Sequence, residues 1–343
     1  MQNEITKKSP LLDKNGRLLQ KGYSKTMLLE YDRKAIKASP LRIKEWDYYL
    51  IMNDDFAVAL TVADNSYMGL MSASLLDFRV PWEQTTSVMT FMPKGKTNMP
   101  PSSKTGDVYF KNERCEFSFK FEDKKRRLTC TLKSFKDKKD FECDITLLSE
   151  PEQSMVIATP YDEDDKAFYY NQKINCMPAS GSAKFDGKTY EFKPETSFGL
   201  LDWGRGVWTY KNVWYWGSAS GMVGGKPLGF NLGYGFGDTS RASENMIIYD
   251  GKAHKFERVS FNIPMKDGKE DYMSPWTFTS SDGRFECVFQ PVLDRACCTD
   301  ALVIKSDQHQ VFGKYSGKLV LDNKKVVEIK DFMGFAEKVY NKW

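Results

Sequence analysis

A chain of 343 residues, 41% hydrophobic and 14% aromatic, can bury a large core, which excludes a disordered polymer. Its 50 Lys+Arg stand against 46 Asp+Glu, a formal charge of +4, and the two signs alternate along the chain. Without a concentrated basic face, nucleic acid is not expected as a partner.

The opening segment, MQNEITKKSPLLDKNG, is polar throughout and carries no leader-like apolar core. No later run approaches the ~20 apolar residues of a membrane-spanning helix. Residues 28–38 are compatible with a short helical turn. In RIKEWDYY (42–49), strand alternation sends Lys44, Trp46 and Tyr48 to one face and Glu45, Asp47 and Tyr49 to the other. The first face suits an aromatic wall with a cation at its rim, and the second suits water. An ordinary barrel strand accounts for both faces and is preferred on burial preferences.

Residues 107–135 alternate apolar and polar on both sides of a charged tip near 123–127, an antiparallel pair with one wet face. The basic run Lys124–Arg127 in that tip is balanced by Glu122 and Asp123. FECDITLLS and MVIATPY continue the strand pattern. Three Asp-Gly pairs, at 186–187, 250–251 and 282–283, sit between alternating runs and supply the positive φ of a tight hairpin. The tail from Val311 reads as a strand pair joined at Asp322-Asn323, with a possible helical turn over 331–340.

Many short strands and almost no helical periodicity predict an all-β fold. At about 10–12 residues per strand and turn, the chain exceeds one eight-stranded barrel. Two antiparallel lipocalin-like barrels packed together, with few short helices, fit the length. The expected division is 1–197 and 198–343.

Seven scattered cysteines and two histidines, His254 and His309, show no CxxC or Cys/His spacing. No metal site is expected, no motif implies a cofactor, and free thiols in a reducing cytoplasm are the plain reading. GxSxG and HExxH are absent, which disfavours serine and zinc hydrolysis.

The densest segment is 198–245, with Trp203, Trp208, Trp214 and Trp216 and eleven of the 24 glycines. Asp202, Arg205, Asn231, Asp238, Arg241, Glu244 and Asn245 are threaded among them. Aromatic walls, close-passing glycine backbone and sparse polar groups describe a pocket wall. A tightly turned hairpin with core aromatics describes the same residues. Gly229, Gly233, Gly235 and Gly237 recur along GFNLGYGFG, near Asn231 and Tyr234, and mark a close approach by a ligand or another backbone. In SEN (243–245) a turn is the simpler reading.

The set RIKEWDYY, FGLLDWGRGVW (198–208), WYWGSASG (214–221), GFNLGYGFGD (229–238) and SEN resembles a bacterial family known only as domain of unknown function 2804. That family brings no established activity. More distantly, the pattern is similar to the two-barrel lipocalin-like superfamily of hydroxyneurosporene synthase, the AttH proteins and fungal Diels–Alderases. Those proteins carry an Asp-x-x-Trp-Gly type motif and then a Trp-x-Trp strand, matched here by Asp202-Trp203-Gly204 and Trp214-Tyr215-Trp216. Gly313, Tyr315 and Gly317, then Gly334-Phe335-Ala336-Glu337, match their closing segments. The histidine or glutamate usual inside the first motif is missing, so acid catalysis does not carry over on that motif. The resemblance implies two barrels with a ligand cavity in or between them.

Acid chemistry on an isoprenoid or polyene needs a carboxyl held neutral by burial and aromatic faces for a developing cation. Asp202, Glu337 and Glu244 are the candidates for the acid. Trp46, Trp203, Arg205, Trp208, Trp214, Trp216, Asn231, Tyr234 and Asn245 are the candidates for ligand contact. Arg205, three residues from Asp202, offers an ion-pair partner, and a structural Asp202–Arg205 strut is the favoured reading. The expected function is binding of an apolar small molecule, an isoprenoid, polyene or fatty-acid-like compound, in an aromatic-lined barrel cavity, with acid-catalysed conversion open. A hydratase, isomerase or cyclase is one alternative. A carbohydrate-active protein is another, which would need two carboxylates about 5–9.5 Å apart across an open cleft.

Overall fold

The computed structural model describes residues 2–301 and 304–342. It is all-β: the helical content of the described residues is two 3-10 turns, Arg33–Ala35 and Pro40–Arg42. Among the described residues, no helix is long and apolar enough to cross a membrane.

Two large antiparallel sheets, each curled into a half-barrel, carry the fold. The first runs Trp82–Phe91, Met68–Asp77, Phe56–Asp64, Ile43–Met52, Phe198–Val207, Asp164–Phe185, then Lys139–Leu147, Lys125–Lys136, Cys115–Glu122 and Val108–Lys111. Its pivot is the 22-residue strand Asp164–Phe185, which a bulge between Ile174 and Met177 divides into two halves with different partners. The second runs Lys252–Lys255, Met246–Tyr249, Lys226–Tyr234, Lys211–Val223, Val326–Lys342, Ile304–Val320, Phe285–Ala301, Trp276–Ser280 and Val259–Asn262.

The turns follow the local chemistry. Asp123 and Lys124, Asp186-Gly187 and Asp250-Gly251 all take positive φ, between 50° and 80°, as two-residue hairpin turns require. Three expectations are corrected. Residues 331–340 are strand, part of Val326–Lys342, because both of its faces are covered and apolar residues lose their period of two. The face Glu45, Asp47 and Tyr49 is buried, not solvated, because it points into the first barrel. The strand Phe198–Val207, expected to open the second barrel, is a central strand of the first sheet, between Ile43–Met52 and Asp164–Phe185. The chain crosses to the second sheet between Val207 and Lys211.

Every residue of Phe198–Val207 is buried, since the strand has a barrel interior on one side and the second sheet on the other. Alternation then sorts its side chains. Trp203 and Arg205 enter the first barrel, while Leu200 and Asp202 face the second sheet. Leu50, Met52, Ala59 and Leu200 meet Trp216, Phe312 and Phe335 in an apolar layer between the sheets.

Candidate functional site

Beside that apolar layer lies a polar one. On the first sheet Tyr48, Asp202 and Lys173 stand opposite one another across three neighbouring strands. On the second sheet the matching row is Gly233, Trp216, Glu337 and Gln310. Residues in register on neighbouring strands share a face. Lys173 Nζ lies 2.8 Å from Asp202 Oδ1 and 3.9 Å from the centre of the Trp216 ring, so its ammonium bridges the two sheets. Asn171 Nδ2 also donates to Asp202 Oδ1, at 2.7 Å.

Two glutamates complete the layer. Glu337 accepts from Trp214 Nε1 at 2.8 Å on one oxygen and from Gln310 Nε2 at 2.9 Å on the other. Glu244 accepts from the Tyr169 hydroxyl at 3.0 Å and from Asn231 Nδ2 at 3.2 Å. Asn231 in turn accepts from Trp216 Nε1 at 2.7 Å, which ties Glu244 to the ring that Lys173 covers. Gly233 is required here: a Cβ would stand 2.6 Å from the Glu244 carboxylate.

Burial pushes the carboxyls of Glu244 and Glu337 above the ordinary value of 4.5. Their hydrogen bonds, the Lys173 charge and, at Glu337, the Arg295 charge offset this only in part. Lys173 and Arg295 are the cations these carboxyls feel, and Lys173 is already paired with Asp202, so desolvation still outweighs the attraction at both glutamates. The layer therefore favours holding a proton on a glutamate.

The structure brings all three candidate acids, Asp202, Glu244 and Glu337, to this layer, with Trp214, Trp216 and Asn231. Trp46 and Trp208 pack beside it: their rings are 5.6 Å apart, Trp208 is 5.5 Å from Trp214, and Trp46 stacks on Tyr169 at 6.0 Å. Four other candidates lie elsewhere. Trp203 and Arg205 stack on each other in the first barrel, 4.2 Å from guanidinium to ring. Tyr234 stacks on Tyr215 at 4.6 Å against the core of the second barrel. Asn245 is a backbone clamp, accepting from Gly233 N and donating to Glu257 O.

The Asp202–Arg205 strut does not form. Positions 202 and 205 differ by an odd number, so on a strand they point to opposite faces. Arg205 pairs instead with Asp47 at 3.0 Å and donates to the carbonyls of Trp46, Gly204 and Pro100. The sequence reading placed Tyr48 on an aromatic face but missed Lys173, Tyr169 and Gln310. The alternation of Asn171, Lys173 and Asn175 within an otherwise buried strand was the available signal.

Along the strands, two residues from the polar layer, Leu50, Leu200, Ser218 and Phe335 line a void of about 10 Å³, enough for one water. Phe198, at its far side, also lines a cleft of about 500 Å³ at the end of the sheets, with Cys176, Pro178, Met222, Pro227 and Glu195. The Cys176 thiol is pushed up to about 12 by burial, which makes it a poor nucleophile. Trp216 is buried, and the indole N–H groups of Trp214 and Trp216 are both committed within the layer. They do not line the open, wet groove that sugar stacking needs.

Over residues 2–343 the sequence matches the family described as a domain of unknown function, DUF2804. The chain belongs to this family. Its fold is similar to the solved structure of an AttH candidate from Nitrosomonas europaea, at 14% identity and a TM-score of 0.54, covering 90% of this chain and 96% of that one. Kievitone hydratase from Nectria haematococca aligns at 12% identity and a TM-score of 0.46, covering 87% and 88%. No curated protein matches the sequence. The first likeness establishes for this DUF2804 member the two-barrel, lipocalin-like architecture.

Proposed function

We propose that this chain binds an apolar small molecule between its two barrels and transfers a proton to it from Glu337. The observation that carries the reading is Glu337 itself: a buried carboxyl, held above its ordinary range by desolvation and oriented by Trp214 and Gln310. It lies two residues along the same strand face from Phe335, which separates the layer from the void beside the cleft. Cleft volume, about 500 Å³, is in the range of small-molecule sites.

In this reading the ligand enters from the cleft, displacing Phe198, Leu200 and Phe335. Glu337 gives its proton to a carbon–carbon double bond, and the faces of Trp216 and Tyr48 stabilise the cation that forms. The cation then either loses a neighbouring proton, an isomerisation, or takes up water and releases one, a hydration. In both cases a proton returns to the Glu337 carboxylate. Lys173 and Asp202, paired on neighbouring strands of the first sheet, hold the charge of the layer while Glu337 is ionised. The candidate acid of the motif, Asp202, thus becomes a positioning residue.

Native mass spectrometry of the purified protein, with organic extraction, tests this. The expected result is a co-purifying apolar species that Glu337→Gln retains in an unconverted form. Identical species in both proteins would reduce the chain to a carrier, and an empty protein that also rejects apolar probes would overturn the reading.

A further inference from the structure

The lining of the cleft says which apolar molecules it takes. Its walls are Pro151, Pro178, Pro194, Phe198, Met222 and Pro227, and its charged lining groups are Glu150 and Glu195. No lysine, arginine or histidine contributes to it. Two neighbouring cations are paired with acids, Arg126 with Glu150 and Lys226 with Asp250 at 2.9 Å, and Lys252, beside Gly251, is exposed and outside the lining. Lys193, beside Pro194, is exposed and outside the lining. Glu195 has no ion-pair partner among the described residues, and its carboxylate is exposed at the rim. Further in, the polar layer sets three carboxyls against Lys173, whose ammonium is already shared by Asp202 and the Trp216 ring, and against Arg295, which acts on Glu337 and donates to Ser74.

We propose that the cleft selects neutral apolar molecules, hydrocarbons, alcohols or carbonyl compounds, and rejects anionic ones such as fatty acids. This rests on the reading of the inter-barrel cleft as the ligand site. A carboxylate ligand would leave water for a cleft whose lining holds no cation and that carries Glu195 at its mouth. Like charge and unrecovered desolvation then both count against it. A neutral ligand of the same length loses neither, because its apolar chain meets the prolines, Phe198 and Met222. Recognition of a fatty acid requires a basic group near the headgroup, and the lining supplies an acid in that place.

A chain-matched pair separates the two possibilities. The neutral fluorophore 1-aminoanthracene serves as reporter, and decanol and decanoate compete for it at pH 8. Decanol is expected to displace the reporter at a concentration at least about tenfold lower, as a charge difference worth about 1.4 kcal/mol would give. In Glu195→Lys, an exposed position away from the polar layer, the ratio should narrow through tighter decanoate binding. Equal displacement, or preference for decanoate, overturns the charge selection while leaving the cleft as the ligand site. Failure of reporter and both competitors to bind overturns the selection together with the function on which it rests.

Discussion

Lys173 holds the layer between the sheets through one amino group, and its removal leaves Asp202 buried without a cation. Lys173→Met should cost about 3–5 kcal/mol, the penalty for breaking a buried pair from one side. Urea denaturation measures it, and adding Asp202→Asn to the same chain should recover part of the loss. Arg205 gives a matched control within the same strand. In double-mutant cycles Arg205 should couple strongly to Asp47, which it touches at 3.0 Å, and not to Asp202, which points away. Coupling of Arg205 to Asp202 instead would contradict the alternation on which the site is built. This pair also marks a limit of the sequence. Composition and motif drew attention to Asp202, but a partner three residues away is a helical expectation, and the true partner is 29 residues earlier, on a strand that only the fold places alongside. Lys173 itself carried no local mark except its place in an alternating polar row.

At the level of the strand, Phe198–Val207 shows why its glycines matter. Gly204 faces the second sheet, and a Cβ there would lie 2.0 Å from the Trp46 indole. Gly204→Ala should therefore destabilise by about 1–3 kcal/mol through overpacking, and Trp46→Leu in the same chain should relieve the cost. Thermal denaturation of the four proteins tests this, and additive losses would contradict it. The glycine-rich pattern of 198–245 was a correct sign of close approach, but the approaching groups are Trp46, Cys176 and Glu244 of the chain itself. Hairpins were readable because Asp-Gly fixes the turn locally. Residues 331–340 were not, because Phe332 and Ala336 face the second barrel while Met333, Phe335 and Glu337 face the first sheet. A strand apolar on both faces gives no period of two, and there Phe332, Phe335, Ala336 and Val339 imitate a helix.

For the whole molecule, the two barrels meet through apolar contacts at Leu50, Leu200, Phe312 and Phe335 and through the polar layer beside them. Phe335→Ala should cost about 3–5 kcal/mol, and tryptophan fluorescence and far-ultraviolet circular dichroism should no longer report one coincident transition. Loss of stability with coincident transitions would mean that the barrels are not coupled through this face. The architecture was legible from strand count and length, whereas the meeting face was not, since it is made by pairing between distant segments.

Stability should also carry the signature of the buried acids. The folded chain holds protons on Glu244 and Glu337 more tightly than the unfolded chain, whose value is near 4.5. Their contribution is fully favourable below that value and is lost as pH rises through the raised folded values. The urea midpoint of the natural protein should fall relative to that of Glu337→Gln as pH rises from 4.5 towards neutrality. A difference that stays flat would mean that Glu337 is not held protonated by burial.

The most direct test is infrared spectroscopy of the protonated carboxyl stretch at neutral pH. A buried carboxylic acid between the sheets predicts a band that disappears in Glu337→Gln and shifts when an apolar ligand binds. Absence of any such band in the natural protein, or its persistence unchanged in Glu337→Gln, would contradict Glu337 as the proton donor.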